Sequence, residues 1–209
     1  MARLTLIAHA ATEAQRRAAF PLDESILDEP ILDEPVAERE AVKLPALNWT
    51  VPRAEQIRSA PEQRAQQTTR ILGLQATTTE ALRDCDYGRW QGRSMEAVQA
   101  EEPARILAWL TDPGAAPHGG ESIENLIARV GKWMDEQRIV SHVIAVTHPS
   151  VIRAAIVHAL RIPAQGFWRF DISPLSFTDL RFSRNLWTLR CSGCPLSAEK
   201  PADKGEARG

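Results

Sequence analysis

The stretch that decides the fold is His142-Val143-Ile144-Ala145-Val146-Thr147, followed at once by His148 and by a helical pattern that starts at Pro149. A continuous apolar run of this length predicts a strand that is buried on both faces, as in a parallel sheet. A second run of this kind, Leu4-Thr5-Leu6-Ile7-Ala8, ends at His9. In open α/β sheets the ligand crevice lies beyond the carboxyl ends of the strands. The sequence therefore predicts that both imidazoles face one pocket.

Either histidine alone is also typical of a structural residue that is hydrogen-bonded to a backbone carbonyl. A third feature, Arg64, favours the catalytic interpretation. Before Arg64, Ser59, Pro61 and Glu62 have the spacing of a capping box with proline in the first turn, which predicts a helix over residues 61–72. A short strand-like run ends at Ser59, so Arg64 is also expected to project from a strand-to-helix junction.

Five short motifs, in order along the chain, resemble those of the histidine phosphatase superfamily, which includes the phosphoglycerate mutases. They read Ala8-His9-Ala10, Ser59 to Thr68 with Arg64-Ala65, Leu82 to Gly88 with Asp84, Gly119-Gly120-Glu121-Ser122, and Thr147-His148-Pro149. The resemblance implies a three-layer α/β/α fold with a mostly parallel central sheet, of the phosphoglycerate mutase type. We assign residues 1–194 to one histidine phosphatase-like domain and residues 195–209, rich in small and charged residues, to a disordered tail.

The resemblance also implies a reaction, in which a small phosphate monoester is hydrolysed through a phosphohistidine on His9. The expected catalytic residues are His9, Asp84 and His148, and the expected phosphate-binding residues are Arg64, His9 and His148. His148 would donate to the phosphoryl oxygens, while the Arg64 guanidinium holds two of them. Asp84 stands where the family has a glutamate and is the candidate acid for the leaving oxygen. That role needs a pKa raised by burial or by Asp86; the alternative is a plain loop carboxylate.

Three departures from the family pattern weaken the anion site. Ala8 stands where the family has an arginine, and Ala10 and Pro149 replace glycines. Each charge-assisted hydrogen bond lost from a phosphate site typically costs about 1.5–3 kcal/mol, and proline also removes a backbone N–H. A second hypothesis therefore stays open, a catalytically degenerate member that binds a phosphorylated metabolite or a protein partner. The candidates to replace the lost donors, each also typical of a plain surface residue, are Arg16, Arg17, Arg83 and His118.

Composition limits the kinds of partner. Lys+Arg 25 against Asp+Glu 27 gives a net charge of −2, without the basic field that nucleic acids or anionic membranes attract. A small phosphate ester is the expected partner. No apolar stretch is long enough to span a bilayer and the first strand begins by residue 3, so we expect a cytoplasmic protein. Cys191 and Cys194 form a Cys-x-x-Cys without a second pair, so neither a metal nor another cofactor is expected.

The rest of the chain carries weaker signals. A tandem Ile-Leu-Asp-Glu-Pro repeat over residues 26–35 predicts an acidic surface loop, or a lid over the pocket. Pro103 divides residues 92–110 into two helices, which the resemblance places over the pocket. Ser122 is the expected N-cap of the following helix. The predicted final strands are Phe177–Phe182 and Leu186–Arg190, joined as a hairpin.

Overall fold

The computed structural model describes residues 1–22 and 52–196. The predicted acidic loop and residues 197–209 of the predicted tail lie outside the described residues. The strands are β1 (Ala2–Ala8), β2 (Gln56–Ser59), β3 (Thr77–Thr78), β4 (His142–Thr147), β5 (Ser176–Ser183) and β6 (Leu186–Pro195). The helices are α1 (Glu13–Arg16), α2 (Gln63–Ile71), α3 (Met95–Glu101), α4 (Pro103–Thr111), α5 (Ile123–Glu136) and α6 (Pro149–Leu160).

The six strands form one sheet in the order β3-β2-β4-β1-β5-β6. The first four are parallel to their neighbours, whereas β5 and β6 are antiparallel additions beside β1. This is the α/β/α fold with a mostly parallel sheet that the sequence predicts. The register pairs Arg3 with His142 and Ala8 with Thr147. Because the two central strands end at the same level, His9 and His148 emerge side by side.

Most predicted helices are confirmed, as is the predicted N-cap of α5. The Ser122 hydroxyl accepts a hydrogen bond from the Asn125 N–H at 3.1 Å and so caps α5. Gly73, at a φ of +70°, ends α2 as expected of a glycine in the left-handed region. Helices α3 and α4 lie on either side of the break before Pro103. They contribute to a small aromatic cluster of Phe20, Trp90, Val98, Ile106 and Trp109, separate from the main core.

The predicted capping box is wrong. Ser59 is the last residue of β2, and its hydroxyl donates to the Ala60 carbonyl at 3.0 Å and accepts from the Thr69 hydroxyl at 3.2 Å, so it caps no backbone N–H of the first turn. Helix α2 begins at Gln63 with Glu62 at its N-cap, and no side chain caps it. The physical reason is that the Glu62 carboxylate is hydrogen-bonded elsewhere, in the site described below.

The C-terminal hairpin extends further than predicted. Strand β6 continues to Pro195, and the buried Leu196 donates its N–H to the Leu175 carbonyl at 3.1 Å. Leu175 in turn donates to the carbonyl of Ala8 at 3.1 Å, which ties the end of the hairpin to the end of β1. None of the described helices is both long enough and apolar enough to cross a membrane.

Candidate active site

His9 follows β1 and is almost fully buried. Its Nδ1 lies 2.7 Å from the Ala10 carbonyl oxygen, and because a carbonyl only accepts, Nδ1 carries the proton. The lone pair is therefore on Nε2. Burial, followed by the charges of His148 and Arg64, lowers the pKa of His9 to about 3. His9 is a neutral imidazole at pH 7, which is the state a nucleophile needs.

His148 and Arg64 lie beside His9, as the sequence predicts. The rings of His9 and His148 have centroids 5.0 Å apart and meet edge to face. The Arg64 Nε donates to the His148 Nδ1 at 3.3 Å, and its Nη2 donates to the Asp84 Oδ2 at 2.9 Å. Helix α2 carries Arg64 in its first turn, so the end of β2 places this guanidinium at the carboxyl ends of β1 and β4.

Asp84 is held as a carboxylate. Its Oδ1 accepts from the Cys85 N–H at 2.8 Å and from the Ser150 hydroxyl, and its Oδ2 accepts from Arg64. Burial opposes the charged form, but the charges of His148 and Arg64 outweigh it and hold the pKa of Asp84 well below its usual range. The expected raised pKa is therefore wrong for the free protein. Asp86 does not supply it, since its Oδ1 accepts from the Gly88 N–H at 2.8 Å in the neighbouring turn.

Glu62 is a site residue that the sequence interpretation missed. It is only 4% exposed, and its two oxygens accept from the His148 Nε2 and from the Asp84 N–H, each at 2.7 Å. Burial disfavours the charge, yet the interactions with His148 lower the pKa of Glu62 to about 2. Glu62 thus joins His148 to Asp84. The available signal was its position, because an acid three residues after the end of a parallel strand lies near the same edge of the sheet as His9.

His148 itself is fully buried and has both ring nitrogens engaged, Nδ1 with Arg64 and Nε2 with Glu62. It does not line the cavity of about 440 Å³ that opens beside it. His9, Arg64 and Asp84 do line that cavity, together with Pro149 and Ser150 at the start of α6. Three of the four predicted site residues therefore reach the cavity wall, and His148 contacts them from within the protein.

Of the residues suggested as replacements for the missing arginine, Arg16 alone lines the cavity. Arg17 is exposed to solvent, and Arg83 lies 3.9 Å from the Glu121 carboxylate. His118 is buried against Trp90, and its Nδ1 accepts from the Gly120 N–H at 3.0 Å. A further cation that sequence reasoning did not single out, Arg153 of α6, lines the same cavity. Within residues 1–22 and 52–196 no cluster of three or more His, Cys, Asp or Glu is arranged to hold a metal ion.

Comparison with known proteins identifies the family and the fold. The sequence matches the histidine phosphatase superfamily (branch 1) over residues 4–194. The chain belongs to the histidine phosphatase superfamily. Among its solved relatives, the mycobacterial glucosyl-3-phosphoglycerate phosphatase Rv2419c in complex with VO₃ superposes with a TM-score of 0.75 at 23% identity. That alignment covers 93% of this chain and all of the other, and it shows a shared fold.

Two mycobacterial sequence relatives match over shorter lengths. The bifunctional protein Rv2228c of Mycobacterium tuberculosis is 29% identical over 132 residues, which cover 58% of this chain and 36% of that protein. The glucosyl-3-phosphoglycerate phosphatase of M. tuberculosis is 30% identical over 106 residues, or 46% of this chain and 48% of that protein. The chain thus spans between about a third and a half of the length of these curated relatives.

Proposed function

We propose that this protein is a phosphatase that hydrolyses a small phosphate monoester through a phosphohistidine on His9. The observation that carries the proposal is the state of His9, a neutral imidazole whose Nδ1–H is bound to the Ala10 carbonyl and whose Nε2 lone pair is available in a cavity that Arg64 also lines. A nucleophile and a planar cation side by side are what an in-line attack on a phosphoryl group requires.

In the first step, His9 Nε2 forms a bond to phosphorus as the bond from phosphorus to the ester oxygen breaks. Arg64 holds two phosphoryl oxygens, which its five fixed N–H donors suit. His148 keeps the guanidinium in place, because its Nδ1 accepts from the Arg64 Nε while its Nε2 is held by Glu62. In the second step, water attacks phosphorus, the bond to Nε2 breaks, and inorganic phosphate leaves.

Asp84 moves the proton in both steps. In the free protein its pKa is low because Arg64 and His148 face it. A bound phosphate pairs with Arg64 and so weakens the interaction between Arg64 and Asp84. It also brings negative charge close to Asp84, and both effects raise the pKa of the Asp84 carboxyl. Asp84 can then take a proton from a monoanionic ester and pass it to the leaving alcohol. The resulting carboxylate accepts a proton from the attacking water in the second step.

The test compares wild type with His9→Ala on p-nitrophenyl phosphate from pH 4 to 8. We expect phosphate release that is lost in His9→Ala and retained in His158→Ala, a control histidine on α6 that pairs with Asp135 outside the cavity. Alkaline quenching should trap phosphate on His9, since phosphoramidates survive base. Release of phosphate by a protein in which no phosphorylated histidine is found would refute the covalent intermediate.

The alternative, a degenerate member that only binds a phosphorylated ligand, is favoured by one observation. Ala8 is fully buried and offers no cation, and Arg64 is already paired with Asp84. Under that hypothesis wild type and His9→Ala show the same background release, while both bind phosphate or vanadate. The experiment above therefore separates the two functions.

A further inference from the structure

Part of the cavity wall has no role in the phosphoryl chemistry. Phe20, Met95 and Trp109 line it with apolar and aromatic surface. Phe20 and Trp109 are 4% and 3% exposed and pack against each other with ring centroids 5.6 Å apart, so this wall is rigid. A wall of this kind suits a ring or a hydrocarbon group of the substrate, since small-molecule sites are mostly apolar with a few placed polar groups.

Arg153 is the polar group in this part of the cavity. Pro149, Ser150 and Arg153 all line the cavity from α6, at positions that share one face of a helix. The Ser150 hydroxyl donates to Asp84, the group that would protonate the leaving oxygen. Arg153 lies one helical turn beyond Ser150, about 5–6 Å away between Cβ atoms. Arg153 therefore lines the part of the cavity next to Asp84, where the alcohol part of an ester attacked by His9 would lie.

The Arg153 guanidinium is held in position and still has N–H groups available for a ligand. Its Nε donates to the Phe170 carbonyl at 2.8 Å, and its central carbon lies 6.0 Å and 5.9 Å from the ring centroids of Phe167 and Trp168. Among the residues that the structure describes, Arg153 makes no ion pair, and its other hydrogen-bond donors have no protein acceptor. An arginine stays charged, so the cavity contains a fixed cation without a contact ion pair; the carboxylates of Asp171 and Asp84 act on it only at longer range.

We propose that the substrate's alcohol part is an apolar, ring-sized group bearing a second anionic group, a carboxylate, which Arg153 binds. The inference rests on the proposed phosphatase function of the same site. A carboxylate fits because the planar guanidinium can give it two parallel hydrogen bonds, whereas the apolar wall takes the ring. Arg153 is then a specificity-determining residue for the leaving group.

The test uses two esters of nearly the same shape, 3-carboxyphenyl phosphate and 3-carbamoylphenyl phosphate. For wild type we expect kcat/KM to be about 10- to 100-fold higher for the carboxylate ester, as typical for a charge-assisted hydrogen-bonded pair. Arg153→Met should remove the preference, so that the ratio of the two kcat/KM values falls to about one. Arg153→Lys should retain part of the preference. Arg169→Met, at an exposed arginine that does not line the cavity, should retain all of it.

Two results would overturn the inference. The first is that the wild type hydrolyses both esters equally well. This result is compatible with the phosphatase function and does not depend on the folding of any variant. The other is an Arg153→Met that loses the same factor on both esters, which would make Arg153 a structural or phosphoryl-binding residue.

A binding measurement separates this inference from the phosphatase proposal. Calorimetry on His9→Ala, which lacks the nucleophile, should give about 10- to 100-fold tighter binding of 3-carboxyphenyl phosphate than of the carbamoyl ester, and His9→Ala/Arg153→Met should lose the difference. If that holds while wild type hydrolyses neither ester, the carboxylate site stands and the phosphatase proposal fails. Equal binding of both esters overturns the carboxylate site.

Discussion

The buried, neutral His9 makes the stability of the protein sensitive to mild acid. In the unfolded chain a histidine takes up a proton near pH 6.5, whereas burial and the neighbouring His148 and Arg64 lower the pKa of His9 to about 3 in the folded state. Between these two values the unfolded state binds more protons. Stability therefore decreases as the pH falls below 6.5, and the contribution is complete only above that value.

The size of the effect follows from the two pKa values. At pH 5 the unfolded imidazole is almost fully protonated and the folded one is neutral, so the shift from 6.5 to about 3 implies a loss of about 2 kcal/mol between pH 7 and pH 5. Any folded pKa below about 4 gives nearly the same loss at pH 5. Burial also lowers the pKa values of His118 and His142, which add to the acid sensitivity of the wild type.

The assay compares wild type with His9→Gln, a neutral side chain that cannot titrate. Urea unfolding followed by tryptophan fluorescence gives the free energy of unfolding of each protein at pH 7 and at pH 5. We expect the wild type to lose about 2 kcal/mol more than His9→Gln over this interval, since the other histidines contribute equally to both. Equal losses would mean that His9 takes up a proton within the folded protein, and the neutral-nucleophile argument would be wrong.

Three further predictions concern Asp84, Glu62 and Gly120. Asp84→Asn should slow alkyl phosphates by about 10²–10⁴-fold and p-nitrophenyl phosphate far less, because the activated phenolate needs little help from an acid; one common factor across a leaving-group series would exclude this role. Glu62→Gln should lower the free energy of unfolding by about 1–3 kcal/mol in urea at pH 7 and reduce kcat more than it changes KM, since Glu62 accepts from His148 and from the Asp84 N–H with two different oxygens and an amide has only one; unchanged values would contradict this. Gly120→Ala should cost about 1–3 kcal/mol or more in the same assay, because its Cβ would lie 2.1 Å from the Asp86 carbonyl oxygen. Gly114→Ala, with its nearest contact at 3.4 Å, is the control and should be nearly neutral.

Short sequence patterns correctly predicted the strands that are buried along their whole length and the helix ends that are fixed by neighbouring residues. Strands β1 and β4 are buried on both faces, so the apolar runs that encode them are continuous and end at His9 and His148. The Ser122 cap and the Gly73 terminator act within one turn of their helices, so sequence alone located both. The predicted capping box of Ser59 and Glu62 is equally local, but the hydrogen bonds of Glu62 to His148 and to the Asp84 N–H prevent it from forming.

Those distant contacts decide the electrostatics of the site. Glu62 meets Asp84 across 22 positions of sequence and His148 across 86. The low pKa of Asp84 comes from Arg64 and His148, which the fold brings to it; burial alone would raise that pKa, as the sequence interpretation assumed. Residue type could therefore name Asp84 as a candidate acid but could not give its charge state in the free protein.

The sequence by itself determined the α/β class, the two histidines at adjacent strand ends and the neighbouring Arg64, because strand periodicity and strand-end position are properties of short segments. Only the tertiary structure decided that Glu62 joins His148 to Asp84, that His148 lies behind the cavity wall, and that Arg153 lines the same cavity as His9. Each of these depends on burial and on charges that act over a few ångströms in space between residues far apart in the chain, and no local pattern records such distances.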